Sequence, residues 1–539
     1  MGALYSRISS HIFGDWNACG KVMGLTSYAR PEEVATLPRF MEGALVTGEF
    51  AVNWDALAAL EQPNEWREAD AATTAHYSRL AGRVQADLEE TALPWIRELK
   101  ARTGAENLCL CGGVAQNSVL NGRIARELGF RRVFIPPYPG DEGVSVGCAL
   151  WGFAALAGRA GGGSAEDKGQ QPQQPSPAPH PPLRRRYAPL PPYQGRAYSE
   201  AQVQAEALGP YDPFIVVERR PSMESVVEAT VDALTQGEVV AWFQGRSECG
   251  PRALGARSLL ADPRVAAVHP FLNRVKGREA FRPFAPSVLA EAACDWFEGA
   301  AGPDGPDGPD GGSGVDSPYM SVTLPVRPER RGEVPAICHV DGSARLQTVR
   351  EQDNPWYYRL IQAFARRTGV PMVLNTSFNI RGEPIVESPA GAVRSFLSTH
   401  GGVGLLVLGQ FLVRRRPFPV GDAGGAGSLD PALCVPRRAD GILLEEVVRD
   451  AGTGVARSVR VAFGSEDGRP LWVDLASELD LFVLSSVDGV TPLEDLVEEI
   501  VESLEEDGAL EDGEEDPVTP EEVTAAFKRL YDLRLAYFV

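Results

Sequence analysis

Eight basic side chains fall between Gly245 and Arg282: Arg246, Arg252, Arg257, Arg264, Arg274, Lys276, Arg278 and Arg282. Only Glu248, Asp262 and Glu279 interrupt them, a local balance of +5 in a chain whose formal charge is −21. The arginines sit beside Gly250, Pro251, Gly255 and Gly277, where the backbone can approach a ligand closely. Guanidinium forks match phosphate and carboxylate oxygens two at a time. The stretch therefore predicts a pocket for a phosphorylated or nucleotide substrate, with a solvent-facing loop of structural ion pairs as the other reading. Nucleic acid is disfavoured. The whole-chain charge would repel a polyanion, and the cluster has little of the aromatic interleaving of a single-strand platform.

Two further groups of residues could touch such a ligand. Asn375-Thr-Ser-Phe-Asn379 offers amides and hydroxyls that suit phosphate oxygens or a sugar edge, or else an Asn/Ser turn that closes a strand. Gly112-Gly113, followed by Asn117, lies between a strand-like and a helix-like run, an arrangement that presents backbone N–H groups and a helix N-terminus to phosphate. Pro139-Gly140-Asp141-Glu142-Gly143 reads as a tight turn before a helix, with Asp141 suited to an N-cap.

The elements that must position these residues follow from periodicity. Val239 to Phe243 reads as a buried strand leading into the Arg-rich turn region, and Val370 to Leu374 as a strand leading into the Asn/Ser cluster. Helices are expected over Leu4–Phe13, Ala71–Thr103, Ser118–Leu128, Val144–Leu156, Met223–Gln236 and Asn354–Arg367. Strands are expected over Asn107–Cys111, Val133–Ile135 and Tyr319–Leu324, and a Gly-bracketed turn over Gly20–Leu25. Cys109 and Cys111 alternate in their strand without a second pair, so buried free thiols are expected rather than zinc.

Composition divides the chain. Residues 1–158 form a first unit and 159–195 a Pro/Gln/Gly-rich tether. Residues 196–418 form a second unit, interrupted by a Gly-Pro-Asp repeat at 303–312. Residues 419–539 form an acidic tail of hairpins and short helices. No apolar run approaches ~18 residues and no secretory leader is legible, so a cytoplasmic protein with no membrane contact is expected.

Five stretches carry a family resemblance: GKVMGLTSYA (20–29), CGGVAQNSVLNGRI (111–124), PYPGDEGVSVGCAL (137–150), GRSECGPRALGARSLLADPR (245–264), and KGREAFRPFAPSV (276–288) with LNTSFNIRGEPIVESP (374–389). In this order they resemble a carbamoyltransferase of the nodulation and antibiotic-tailoring type. The resemblance implies an α/β and α+β multidomain protein. Its parts would be a partial actin/sugar-kinase-like domain, a twisted-sheet domain similar to threonylcarbamoyl-adenylate synthases, and a small tail that weakly resembles peptide-recognising winged helices. A helical cap with no partner is an equal reading of that tail.

The resemblance further implies an ATP-dependent transfer of carbamoyl from carbamoyl phosphate, by way of carbamoyl-AMP, to a hydroxyl or amine of a natural-product or peptide acceptor. Lys276-Gly-Arg278 and Ser377-Phe-Asn379 match the family's Lys-x-Arg and Ser-x-Asn signatures. Lys276, Arg252 and Arg282 would be catalytic; Arg246, Arg257, Ser258, Arg278, Asn375, Ser377 and Asn379 would bind substrates. Gly112, Gly113, Asn117 and Gly140 fall on nucleotide-contacting motifs, and Asp141 on the family's Fe(II)-binding aspartate, with Mg2+ as a companion to the ATP.

One feature departs from the family. The six histidines stand at 11, 76, 180, 269, 339 and 400, none spaced by four, so the family's His-x-x-x-His metal pair is missing. One carboxylate cannot hold iron alone. The expected alternatives are a partner chain that supplies the missing lobe, an enzyme that stops at carbamoyl-AMP, or an inactive scaffold that binds a partner through its tail.

Overall fold

The computed structural model describes residues 1–44, 49–60, 71–160, 191–302, 314–399 and 401–416, and, in the tail, 436–438, 443–450, 455–463, 471–474, 478–488, 491–507, 518–532 and 536–538. Most of the tether and the Gly-Pro-Asp repeat lie outside them. The chain divides into two compact units, Met1–Tyr198 with Pro221–Glu387, and Ser199–Arg220 with Ser388–Val539. Residues 1–160 and 221–387, expected in separate domains, thus share the first unit.

In its N-terminal part, α1 (Gly2–Phe13), α2 (Cys19–Leu25) and the long α3 (Ala71–Thr103) enclose a core around Leu4, Ile8, Val22, Leu25, Leu80 and Val84. The expected turn at Gly20–Leu25 is instead helical α2. Its glycines serve contact rather than reversal: a Cβ on Gly24 would stand 3.3 Å from Pro283 Cδ. Next come β1 (Asn107–Cys109), α4 (Ser118–Glu127), β2 (Arg132–Phe134) and α5 (Glu142–Ala160); β1 and β2 pair in parallel. Asn117 caps α4, its Oδ1 accepting from Leu120 N at 2.9 Å. Cys109 and Cys111, expected to be buried, are exposed. The face of the β1–β2 pair that would bury them is uncovered.

The second part begins with α6 (Met223–Thr235) and continues through β3 (Val240–Phe243), β4 (Arg257–Ala261), α7 (Val268–Val275), β5 (Ala285–Leu289), β6 (Val322–Pro325), β7 (Ser343–Val349), α8 (Pro355–Thr368) and β8 (Met372–Ser377). The strands of this unit run β3-β4-β8-β5-β7-β6, antiparallel except for the parallel β5–β7 pair. The stretch expected as turn after β3 contains a fully buried strand, β4, and a helix, α7. Buried Leu259 and Leu260 supply the apolar surface that holds β4 in the sheet. β8 runs on through Asn375-Thr376-Ser377 and ends there, so the first three residues of the amide cluster are strand and a bend follows at Phe378.

The two parts of this unit meet where α4 lies against β6. Gly122 permits the approach, since a Cβ there would be 2.1 Å from Thr323 O. Thr323 Oγ1 donates to Ser118 Oγ at 2.9 Å, and Asn121 Nδ2 to Ser321 O at 2.9 Å.

The second unit holds three antiparallel strands, with Phe411–Arg415 between Ile215–Arg219 and Leu405–Leu408, and the helix Pro389–Leu397. Its tail forms the antiparallel strands Leu443–Asp450, Val455–Phe463 and Leu471–Asp474. Three helices, Glu478–Ser486, Leu493–Asp507 and Pro520–Asp532, pack around Val483, Leu496, Ile500 and Phe527.

Candidate functional site

The loop between β3 and β4 is shaped by a carboxylate. Glu248 Oε1 accepts from the backbone N–H groups of Leu254 (2.7 Å), Ala256 (2.7 Å) and Arg257 (3.2 Å). Arg257 completes the loop from the other side. It is fully buried, and its guanidinium donates to the carbonyls of Gln244 (3.1 Å), Ala256 (3.0 Å) and Gly245 (3.1 Å), 3.5 Å from the Phe243 ring centroid. Burial draws its pKa down to about 10, against the pull of Glu248. Ser258 Oγ accepts from Gly255 N at 3.1 Å. Arg257 and Ser258 thus hold the loop. Arg246, exposed, donates to Gly195 O at 2.8 Å. None of the three reaches the cavity that the loop borders.

That cavity, about 180 Å³, brings together Arg252 from the loop, Arg278 and Arg282 from the segment after α7, Arg345 from β7, and Asn375 and Ser377 from β8. Arg252 has no hydrogen bond or ion pair among the described residues. Burial, then the nearby Arg282, lowers its pKa to about 10. Arg278 donates through Nε to Asn273 Oδ1 at 2.8 Å and lies over the Phe284 ring. Burial and Arg282 lower its pKa to about 9. Burial, then Arg252, Arg278 and Arg282, hold Arg345 well below the ordinary guanidinium range. Arg282 stands 3.6 Å from Glu279, which also pairs with Lys21 at 2.6 Å. Four guanidinium groups therefore crowd one partly dry space with, among the described residues, a single carboxylate paired to them. This arrangement is unfavourable unless an anion shares the space.

Lys276 lies beneath the cavity wall and is buried. Its Nζ donates to Ser377 O, to Asn379 O at 2.7 Å and to Asn379 Oδ1 at 3.0 Å. Ser377 Oγ donates to the same Asn379 Oδ1 at 2.7 Å. The lysine of the Lys-x-Arg pair is thus hydrogen-bonded to both residues of the Ser-x-Asn pair. Burial, then Arg278 and Arg282, hold the Lys276 pKa well below its ordinary value.

A second cavity, about 400 Å³, is lined by Gly113 and Asn117, and shares Gly20, Met23 and Arg252 with the first. Asn117 Nδ2 donates to Gln85 Oε1 at 2.8 Å, and so does Tyr5 OH at 3.1 Å. Gly112, Gly140 and Asp141 line neither cavity. Asp141 is exposed, and among the described residues no group of three or more His, Cys, Asp or Glu could hold a metal. The residues present do not fit the iron site that the resemblance implies.

Arg345, His339 and Glu248 were not anticipated. Arg345 carried a signal: it is a cation inside a strand whose neighbours Ala344 and Leu346 are both fully buried.

Comparison with known proteins identifies the family. Residues 1–150 match the carbamoyltransferase N-terminus model and residues 231–415 the carbamoyltransferase C-terminus model. The chain is 36% identical over 420 residues to nodulation protein NolO of Bradyrhizobium diazoefficiens, covering 77% of this chain and 69% of that protein. It is 35% identical over 496 residues to nodulation protein NolNO of Sinorhizobium fredii, covering 91% of this chain and 65% of that protein. The chain belongs to the carbamoyltransferase family. Full-length HypF, solved in a phosphate- and nucleotide-bound form, aligns with 54% of the chain and 34% of its own at 14% identity and a TM-score of 0.25, too low to carry an argument.

Proposed function

We propose that the chain is an ATP-dependent carbamoyltransferase that forms carbamoyl-AMP from carbamoyl phosphate and ATP and passes the carbamoyl group to a hydroxyl or amine. The observation that carries the reading is the convergence of Arg252, Arg278, Arg282 and Arg345 on one small cavity. Carbamoyl phosphate and a triphosphate repel each other, and preorganised guanidinium groups offset that repulsion where charge develops. The balance is carbamoyl phosphate, ATP and one water giving carbamoyl-AMP, pyrophosphate and phosphate. The bond from the carbamoyl carbon to phosphate is lost, a carbamate oxygen bonds to the α-phosphorus, and the α–β bridge breaks. Lys276 acts through the Ser377–Asn379 strand end that it fixes. The wider cavity beside Gly113 and Asn117, which shares Arg252 with the first, accommodates the adenylate.

The transfer step would need metal ligands that the described residues do not supply, and a partner chain would carry them. Support for such a partner comes from α5, whose Val144, Leu150 and Trp151 are exposed, Trp151 at 70%. A helix this apolar ordinarily buries a face. The acceptor is a natural product or a peptide. The test is pyrophosphate release from ATP. We expect release to require carbamoyl phosphate and to be abolished in Arg282→Ala. Full activity in that variant would show the cavity to be misassigned.

A further inference from the structure

The segment that carries Arg282 is gripped by the N-terminal helices at every second residue. Glu279 pairs with Lys21 of α2 at 2.6 Å, Phe281 stacks on Phe13 of α1 with ring centroids 6.1 Å apart, and Pro283 lies against Gly24 of α2. Between the last two, Arg282 lines the arginine cavity. Its backbone is fixed: Arg282 N donates to Glu279 O at 3.1 Å, and Asn273 Nδ2 donates to Arg282 O at 3.0 Å. Its guanidinium is held less tightly, by a 3.6 Å ion pair to Glu279 that is too long for a hydrogen bond.

The Glu279 carboxylate thus faces two cations and serves them unequally. Oε1 meets Lys21 Nζ at 2.6 Å, a charge-assisted contact, whereas Oε2 meets the Arg282 guanidinium at 3.6 Å. Burial raises the Glu279 pKa, but Lys21, and after it Arg282, pull it below the ordinary carboxylate value. Lys21 is itself placed by Phe13, whose ring centroid lies 5.3 Å from Nζ. Lys21 lines neither cavity, so it touches no ligand held there. A carboxylate beside an anion-binding guanidinium competes with the anion for it. Without Lys21, the cation left to Glu279 in this cluster would be Arg282.

Resting on the function proposed above, we propose that Lys21 is a positioning residue: by engaging Glu279 it leaves the Arg282 guanidinium available to a phosphate group in the cavity. A lysine on an N-terminal helix thereby sets the anion affinity of a cavity built largely on the sheet. The same helix α2 contributes Gly20 and Met23 to both cavities, so the charge relay starts on a wall that the two share.

The test is a set of double-mutant cycles on the full chain, read by calorimetry with inorganic pyrophosphate, alongside pyrophosphate release from ATP. Lys21→Met should weaken pyrophosphate binding by about tenfold in the wild-type background, while Lys21→Arg keeps it. In the Glu279→Gln and Arg282→Ala backgrounds the same change should move the affinity by less than about twofold, because the competing carboxylate or its target is already gone. Glu279→Gln alone should bind pyrophosphate at least as tightly as the wild type. No loss in folded Lys21→Met, or an equal loss in all three backgrounds, overturns the inference, since a long-range field or a damaged fold acts alike in each. Weaker binding by Glu279→Gln also overturns it, and that variant decides the matter if Lys21→Met does not fold. A wild type that binds no pyrophosphate overturns the function proposed above and this inference with it. The predicted cycle without pyrophosphate release overturns the adenylate-forming reaction and leaves the role of Lys21 standing.

Discussion

Arg345 is the residue whose loss should be felt most specifically. Among the described residues it makes no ion pair, its Nε is unpartnered, and Arg252, Arg278 and Arg282 crowd it. Arg345→Ala should lower kcat/KM for carbamoyl-phosphate-dependent pyrophosphate release by about 10²–10³, the usual loss for one preorganised donor. It should not destabilise the protein, because it relieves repulsion, and thermal unfolding with kinetics on the same sample separates the two effects. His339 makes a prediction about stability. Its folded-state pKa, about 4, lies below the ordinary 6.5, so the unfolded chain takes up the proton first. Stability should therefore fall as pH drops from about 6.5 towards about 4. His339→Gln should flatten that dependence relative to wild type in urea titrations across the same pH range.

The loop between β3 and β4 depends on Glu248 more than on any of its arginines. Three buried N–H groups converge on one carboxylate oxygen, and Glu248→Ala strands them all. We expect a loss of about 3 kcal/mol in chemical denaturation, at roughly 1 kcal/mol for each orphaned donor. A loss below about 1 kcal/mol would show that the loop has another support. Much of the scaffold around this loop was legible in the sequence. Ala71–Thr103 was expected as a helix and is one, because apolar residues recur at helical spacing along its length. The Val-rich run before the loop was expected as a buried strand for its β-branched composition and is fully buried.

What composition could not show was the use of small residues in contacts between distant segments. Gly20–Leu25 looked like a turn because glycine breaks isolated helices, yet Gly24 is placed for Pro283, more than 250 residues away. Local sequence equally could not separate the arginines of one stretch. Arg252, Arg278 and Arg282 reach the cavity, whereas Arg257 donates to three backbone carbonyls. Only the path of β4, which turns the Arg257 side chain into the protein, divides them. His339 and Arg345 stood outside the basic stretch; β7 carries Arg345 to the cavity, and the segment just before it carries His339.

At the scale of the molecule, an acidic chain concentrates positive charge in one place. The mutual repulsion there costs stability that a bound anion returns by linkage. Pyrophosphate or carbamoyl phosphate at about 100 times its Kd should stabilise the fold by about 2.7 kcal/mol, read as a rise in Tm that vanishes in Arg252→Ala. The exposed apolar α5 and the uncovered β1–β2 pair set the other large-scale expectation. The matches cover 69% of NolO and 65% of NolNO. Under the function proposed above, these surfaces would receive the partner chain. Among the described residues no helix is long and apolar enough to cross a membrane, so the apolar face is not explained by a bilayer-spanning helix.

The most direct test of the central claim is to incubate the full chain with ATP and carbon-labelled carbamoyl phosphate and to look for labelled carbamoyl-AMP by mass spectrometry. The account predicts the labelled adenylate with wild type and none with Lys276→Met or Arg282→Ala. A wild-type protein that binds both substrates yet yields no labelled adenylate, or a variant that yields as much as wild type, would contradict it.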